Sequence, residues 1–165
     1  MKTPVASATK IVQAPVELIY RILADYRNGH PLILPEKYFL SLQVEEGGFG
    51  EGTLIRFQMR LLGQTRAFRA LVTEPVPGHI IQEKDLASGV LTMFRVSPAN
   101  GQDSSEVTIT TDLEVPGVVQ GFVARIMLEK VYREELDLLA RLAESRSTLY
   151  SSNSVDAAGR LEGPR

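Results

Sequence analysis

The longest helical pattern in the chain runs from Pro116 to about Arg146. Pro116 and Gly117 open it, and the rest contains no proline and one internal glycine, Gly121, so a single long helix is predicted. At about 100° per residue, its large apolar side chains share one side: Leu128, Tyr132, Leu136, Leu139 and Leu142. A helix with one apolar stripe must be covered by another layer, and this constrains the fold of everything before it.

The first turns of this helix are apolar on nearly every side. The residues are Val118, Val119, Phe122, Val123, Ile126 and Met127. Such a segment suits a position that is covered from several directions, so we expect the rest of the chain to wrap around it.

The preceding elements are predicted from alternation and turn signals. Val5 to Gln13 alternates as a strand, and a helix follows Pro15 as far as Tyr26. The apolar segment from His30 to Pro35 is predicted to be a short helical turn or an ordered loop. Strands are then predicted over Tyr38 to Glu45, Thr53 to Leu62, His79 to Ala87, Val90 to Val96 and Glu106 to Val115, with a further strand between the loop at Gly63-Gln64 and the turn at Pro77-Gly78. The order predicts an α+β fold, a seven-stranded antiparallel sheet covered by the long helix.

Two turn dipeptides predict the register of two hairpins. A loop at Gly63-Gln64 gives the facing pairs Leu62 and Thr65, Met59 and Phe68, Phe57 and Ala70, and Ile55 and Val72. A turn at Ser88-Gly89 gives the pairs Ile81 and Val96, Glu83 and Phe94, and Asp85 and Thr92. In the first hairpin one face is apolar, and the opposite face carries Arg56, Gln58, Arg60 and Arg69.

Length and composition favour one soluble domain. The 165 residues, 44% hydrophobic, suit a single domain over 1–146, and the Ser, Asn and Gly content after Arg146 predicts a disordered tail over 147–165. A net charge of −2 argues against nucleic-acid binding, and the absence of cysteine excludes thiol catalysis. No apolar signal core or spanning segment is found, so a cytoplasmic location without membrane insertion is expected. Oligomeric state stays open.

The chain resembles the START-like helix-grip (SRPBCC) superfamily, the group of polyketide cyclases, plant lipid-binding allergens and lipid-transfer domains. The resemblance covers roughly residues 4 to 145 and rests on Ile11 to Tyr20 with Leu23 and Asp25, Gly50 to Thr53, Val72 to Pro75 with Pro77-Gly78, and Arg133 to Leu136. It implies a curved sheet gripping the C-terminal helix, with a ligand cavity between them. Family members bind lipids, hormones or polyketides, and some cyclise or hydrate them. The matching motifs are structural, so no catalytic residue is carried over.

Within such a fold the apolar hairpin face points inward and forms core or cavity wall. The residues predicted to contact a ligand are Phe57, Met59, Phe68, Ile81, Glu83, Thr92, Phe94, Thr111, Phe122 and Ile126. Glu83 and Asp85 are candidate catalytic residues, because a carboxyl buried among apolar groups has a raised pKa and can transfer protons. The alternative is that both lie near the hairpin tip and reach water.

Other polar residues carry weaker signals. Glu135 lies within the helix stripe, where it orients a ligand, holds a buried arginine or tilts out to solvent. His30 either lines the cavity entrance or is solvated. The tyrosines that can supply a phenol donor are Tyr20, Tyr26, Tyr38 and Tyr132. The arginine stripe of Arg56, Arg60, Arg66 and Arg69 is predicted to face solvent. His79 has no evident partner.

Three hypotheses about function follow. The first is a binding protein that encloses a small hydrophobic molecule, lipid-like or polyketide-like. The second is a cyclase or dehydratase that uses Glu83, Asp85 or a tyrosine for proton transfer. The third is a regulatory module that presents an apolar surface to another protein. No metal and no cofactor are expected, because the chain has no ligand-spaced His/Asp/Glu cluster, no G-x-G-x-x-G and no P-loop.

Overall fold

The sheet and its covering helix are seen in a computed structural model, which describes residues 6–112 and 118–159 and, within them, all side chains except those of 118–120 and 150–159. The elements are β1 (Ala6–Val12), α1 (Val16–Ala24), a 3-10 turn (His30–Ile33), β2 (Phe39–Glu46), β3 (Leu54–Leu61), β4 (Gln64–Val76), β5 (Ile80–Asp85), β6 (Leu91–Ala99), β7 (Gly101–Asp112) and α2 (Val118–Gly159). The predicted fold class is confirmed: a seven-stranded antiparallel sheet with a long C-terminal helix.

The strands follow one another in space except for β1, which pairs with β7, so the order is β1-β7-β6-β5-β4-β3-β2. The chain therefore crosses from one edge of the sheet to the other between β1 and β2, and α1 and the 3-10 turn make this crossing. Pro15 precedes the first turn of α1, where its missing N–H costs nothing. The crossing closes one end of the space between the sheet and α2.

Helix α2 packs against β1, α1 and the 3-10 turn. The predicted stripe is confirmed, since Leu128, Tyr132, Leu136 and Leu139 are buried and Leu142 packs against them. The prediction that the first turns are covered from several directions is wrong, because Phe122 is 63% exposed and Ile126 is 46% exposed. These turns carry two polar residues, Gln120 and Arg125, which are too few for the pattern to show which side faces the sheet.

Helix α2 also continues to Gly159, beyond the end predicted near Arg146. The division into a domain over 1–146 and a tail over 147–165 stays a prediction. At the other end, Pro116 and Gly117, the predicted start of the helix, lie outside the described residues, as do the last residues predicted for β7.

Both hairpin registers differ from the predicted ones by two residues. In the β3–β4 hairpin Phe57 pairs with Phe68, and between β5 and β6 Ile81 pairs with Phe94. A shift of two leaves every side chain on its predicted face, because the side chains of a strand alternate with a period of two.

The β3–β4 turn is Leu62-Gly63 rather than Gly63-Gln64. Both residues have positive φ, 51° and 76°, as a type I′ turn requires, and Leu62 is the one non-glycine residue with positive φ in the described chain. A leucine in this conformation is strained, since its Cβ crowds the backbone.

We therefore expect Leu62→Asn to raise the free energy of unfolding by about 1 kcal/mol, because asparagine tolerates positive φ far better than leucine. Urea denaturation measures the difference. Leu86→Asn is the matched control: Leu86 is also an exposed loop leucine, and its φ is not positive. An equal gain in both variants would attribute the effect to lost surface hydrophobicity and not to backbone strain.

Candidate functional site

A cavity of about 540 Å³ lies between the concave face of the sheet and α2. Its size is that of a site for a small organic ligand. Its wall is mainly apolar, with Phe39, Leu42, Ile55, Phe57, Met59, Phe68, Phe94, Met127 and Leu128 among the lining residues. Phe57 and Phe68 face each other across β3 and β4 with stacked rings 5.1 Å apart.

The structure brings most of the predicted ligand-contacting residues together. Those on the wall are Phe57, Met59, Phe68, Glu83, Thr92, Phe94 and Thr111. Ile81 is fully buried in the core and does not line the cavity. The prediction that Phe122 and Ile126 face the cavity is wrong, because both are exposed on the outside of α2 and the helix instead contributes Ala124, Met127 and Leu128.

Asp85 lines the cavity but is held by the β5–β6 loop. Its carboxylate accepts hydrogen bonds from the Ser88 N–H (2.8 Å), the Ser88 hydroxyl (2.6 Å) and the Arg69 N–H (3.1 Å). Burial tends to raise the pKa of Asp85, but these donors outweigh it and the pKa is lowered. The expectation of a raised pKa is wrong for Asp85, whose carboxylate stabilises a turn.

Glu83 also lines the cavity, two residues before Asp85 on β5. Its Oε1 accepts a hydrogen bond of 2.7 Å from the Tyr26 hydroxyl and lies 3.6 Å from Nε2 of His30. The His30 Nδ1 is 2.8 Å from the carbonyl oxygen of Leu23. Because a carbonyl only accepts, Nδ1 carries the proton there, and Nε2 is the nitrogen that faces the carboxylate.

A glycine next to His30 makes this placement possible. A Cβ at Gly29 would lie 2.5 Å from the Ile22 carbonyl oxygen, so any other residue would push the 3-10 turn away from α1. The ring of His30 is then held by stacking on Tyr26 at 4.5 Å and by edge contact with Phe94 at 5.4 Å. His30 is thus a buried cavity residue, and its solvated alternative is wrong.

Glu135 reaches the same region from α2. Its side chain is 2% exposed, and its Oε1 is buried without a hydrogen-bond partner among the described residues. Burial, and then the charge of Glu83, raise the pKa of Glu135 well above its usual range. The alternative in which Glu135 tilts into solvent is wrong. Its central position in the apolar stripe was the sequence signal for burial.

A chain of hydroxyl groups completes the polar part of the wall. Thr92 and Thr111 are 2.8 Å apart at their hydroxyl oxygens, and Thr111 also bonds to the hydroxyl of Tyr132. Burial raises the pKa of Tyr132, so its phenol remains neutral. We refer to Glu83, Glu135 and His30, with the hydroxyls of Tyr26 and Tyr132 beside them, as the acidic end of the cavity.

The remaining predicted polar residues lie elsewhere. Tyr20 bonds to Glu74, Tyr38 lies 3.3 Å from Glu134, and His79 bonds to the carbonyl of Val96 at 3.0 Å. Within the described ranges, no group of three or more His, Asp or Glu can hold a metal ion.

The four arginines of the predicted outward stripe divide between the two faces of the sheet. Arg56 and Arg69 point outward and pair with Glu45 at 2.8 and 2.6 Å. Arg60 lies on that face too, but Arg66 pairs with Met59 on the concave face and lines the cavity near the β3–β4 turn. The outward prediction is wrong for Arg66, because its even number in β4 places it on the same face as Phe68.

A family profile described as polyketide cyclase / dehydrase and lipid transport matches residues 3–144. The chain belongs to this family. The resemblance to START-like proteins is thereby confirmed, and a role in ligand binding or of cyclase type is supported at the level of the family. A comparison with curated proteins finds no match. No helix in the described parts of this family member is long and apolar enough to cross a membrane.

Several solved structures share this fold. The KanY protein, solved by NMR, is 29% identical, with a TM-score of 0.77 over 87% of this chain and 99% of that one. The ZhuI aromatase/cyclase from Streptomyces sp. R1128 is 19% identical, with a TM-score of 0.65 over 86% and 93%. A START superfamily protein from Mycobacterium smegmatis is 22% identical, with a TM-score of 0.57 over 88% and 97%.

Proposed function

We propose that the protein encloses a small hydrophobic molecule, lipid-like or polyketide-like, in the cavity between the sheet and α2, with the cytoplasm as the expected compartment. The observation that carries this proposal is the cavity itself, about 540 Å³ with a mainly apolar wall. Burying apolar ligand surface contributes roughly 25 cal/mol per Å², so such a wall supplies affinity without a catalytic group.

The test is binding of the neutral fluorescent probe N-phenyl-naphthylamine to the wild type and to two matched variants. Ala70→Phe places a ring in the cavity, because Ala70 is on its wall. Ala67→Phe places the same ring on the outer face of the same strand, where Ala67 is exposed and pairs with Gln58. We expect affinity to fall about tenfold or more in Ala70→Phe, equivalent to at least about 1.4 kcal/mol, and to be unchanged in Ala67→Phe.

Equal binding by both variants would place the probe outside the cavity and contradict the proposal. Thermal denaturation of each variant establishes that it is folded. Native mass spectrometry of gently purified protein, followed by solvent extraction, then identifies any molecule of a few hundred daltons that co-purifies with the wild type.

A second candidate function, an enzyme of the cyclase or dehydratase type, is favoured by the acidic end of the cavity. A buried Glu135 that keeps its proton can donate it to a ligand as a general acid. Glu83 and His30, on the same cavity wall, can act as proton acceptors. The ZhuI aromatase/cyclase shares this fold. If the extracted compound is turned over, Glu135→Gln should abolish turnover and retain binding. Unchanged turnover in that variant would exclude Glu135 as the proton donor.

A further inference from the structure

We propose that the acidic end of the cavity binds a protonated amine, so that the ligand is an apolar molecule with a cationic nitrogen that enters first. This inference rests on the proposed function, since it specifies the ligand of the same cavity. It is carried by Glu83 on β5 and Glu135 on α2, two carboxyl groups that line the same mainly apolar cavity, and by the buried Oε1 of Glu135, which has no hydrogen-bond partner among the described residues.

One acceptor in this region is left without a partner. The Tyr26 hydroxyl already serves Glu83, whereas Oε1 of Glu135 is buried and receives no hydrogen bond in the described part of the chain. A buried acceptor that receives no hydrogen bond costs about 1 to 3 kcal/mol, and more if it is charged. A ligand that brings a donor to this oxygen removes the cost on binding.

The charges around the two carboxyl groups are not balanced. Of the groups that face them, Tyr26, Tyr132, Thr92 and Thr111 are neutral donors, and His30 is the one side chain able to carry a positive charge. Arg66 is the one arginine on the described wall, and it lies in β4 six residues from Val72, the partner of Glu83. At about 3.3 Å per residue this separation is about 20 Å, so Arg66 cannot neutralise the pair.

An ammonium group supplies both the hydrogen-bond donor and the positive charge that this end of the cavity lacks. It brings one positive charge and up to three N–H donors to a site with two carboxyl groups and one free acceptor. A ligand carboxylate there would meet the like charge of Glu83 in a low-dielectric region, and an alcohol would bring a donor without a charge. The apolar walls formed by Phe57, Phe68 and Met127 accommodate the body of the molecule.

The experiment uses three probes with the same aromatic body and different ends: naphthylethylamine, naphthylethanol and naphthylacetate. Isothermal titration calorimetry near neutral pH measures their dissociation constants. A charge-assisted hydrogen bond in a buried site corresponds to about a 30-fold preference, so we expect the amine to bind about 30-fold more tightly than the alcohol and the carboxylate to bind weakest.

Glu135→Gln should remove most of the preference for the amine and leave the affinity for the alcohol nearly unchanged. Glu134→Gln is the matched control, since Glu134 is the adjacent residue on α2 and pairs with Lys37 outside the cavity. Because Glu135 holds a proton when the cavity lacks a cation, amine binding to the wild type should also release a proton. Titrations in buffers with different ionisation enthalpies detect this release, which Glu135→Gln should lose.

Tighter binding of the alcohol or the carboxylate would overturn the inference, and so would an amine preference that survives in Glu135→Gln. If N-phenyl-naphthylamine binds in the cavity but the amine does not, the inference fails and the proposed function stands. If every probe fails to bind the folded wild type, the proposed function fails as well.

Discussion

Glu135→Leu is expected to make the protein more stable, by about 2 to 4 kcal/mol in mildly alkaline solution. Glu135 is fully buried, and no described side chain neutralises it or bonds to its Oε1. A leucine of similar size replaces a group whose ionised form is costly to bury with one that the neighbouring apolar side chains accommodate.

The gain should depend on pH in a defined direction. The pKa of Glu135 is raised in the folded protein above the value of about 4.3 for a free glutamate. Below that ordinary value, the group is protonated in both the folded and the unfolded chain. As the pH rises above it, the unfolded chain loses the proton first, so the wild type loses stability until the raised pKa is passed. The advantage of Glu135→Leu should therefore grow over this interval and then level off.

Urea denaturation across this pH range measures the effect. Glu134→Leu, at the adjacent and only partly buried position, is the control and should change stability by less than about 1 kcal/mol. A loss of stability in Glu135→Leu at alkaline pH would mean that the carboxylate has a stabilising partner in the folded protein, and it would remove the basis for an amine site.

The substitution Leu136→Ala, at the next residue of the helix, should instead lower the free energy of unfolding. Leu136 is 1% exposed and belongs to the stripe by which α2 packs on the core. Truncating a buried leucine costs the transfer free energy of the lost carbons and leaves a void, so we expect a loss of about 3 kcal/mol. This loss should not vary with pH, because no titrating group is removed.

The same denaturation series tests Leu136→Ala. Leu149→Ala is the matched control, since Leu149 lies on the same helix and is 65% exposed; its effect should stay within about 0.5 kcal/mol. A loss below about 1 kcal/mol for Leu136→Ala would mean that α2 does not depend on this contact. Together the two adjacent positions separate a residue that stabilises the helix packing from one that opposes it.

The architecture could be predicted from the sequence because its signals are local and repeated. Alternation in β3 and β4 assigns each side chain to a face, and an error of two residues in register does not alter that assignment. The error itself has a clear cause. Leu62 occupies a backbone conformation that glycine or asparagine usually adopts, so the turn indicated by the sequence lies one residue later than the observed turn.

The acidic end of the cavity was not predictable in the same way. Its members come from three separate segments, and their meeting depends on where the crossing between β1 and β2 places the 3-10 turn. His30 gives no periodic signal, and its burial follows from the close approach at Gly29. Glu135 did give a signal, since it interrupts an apolar stripe, but a glutamate at such a position more often reaches solvent.

The pairing of β1 with β7 has a consequence for how the protein folds. The paired residues Ala6 and Thr111 are about 100 residues apart along the chain, whereas β2 to β7 are joined by short turns. Closing so large a loop is slow, so we expect the hairpins to form early and β1 to dock late. The segment that carries Tyr26 and His30 is joined to β1 through α1, so we expect the acidic end of the cavity to be completed in the same late step. A newly made chain would therefore acquire most of its sheet before it can recognise a ligand.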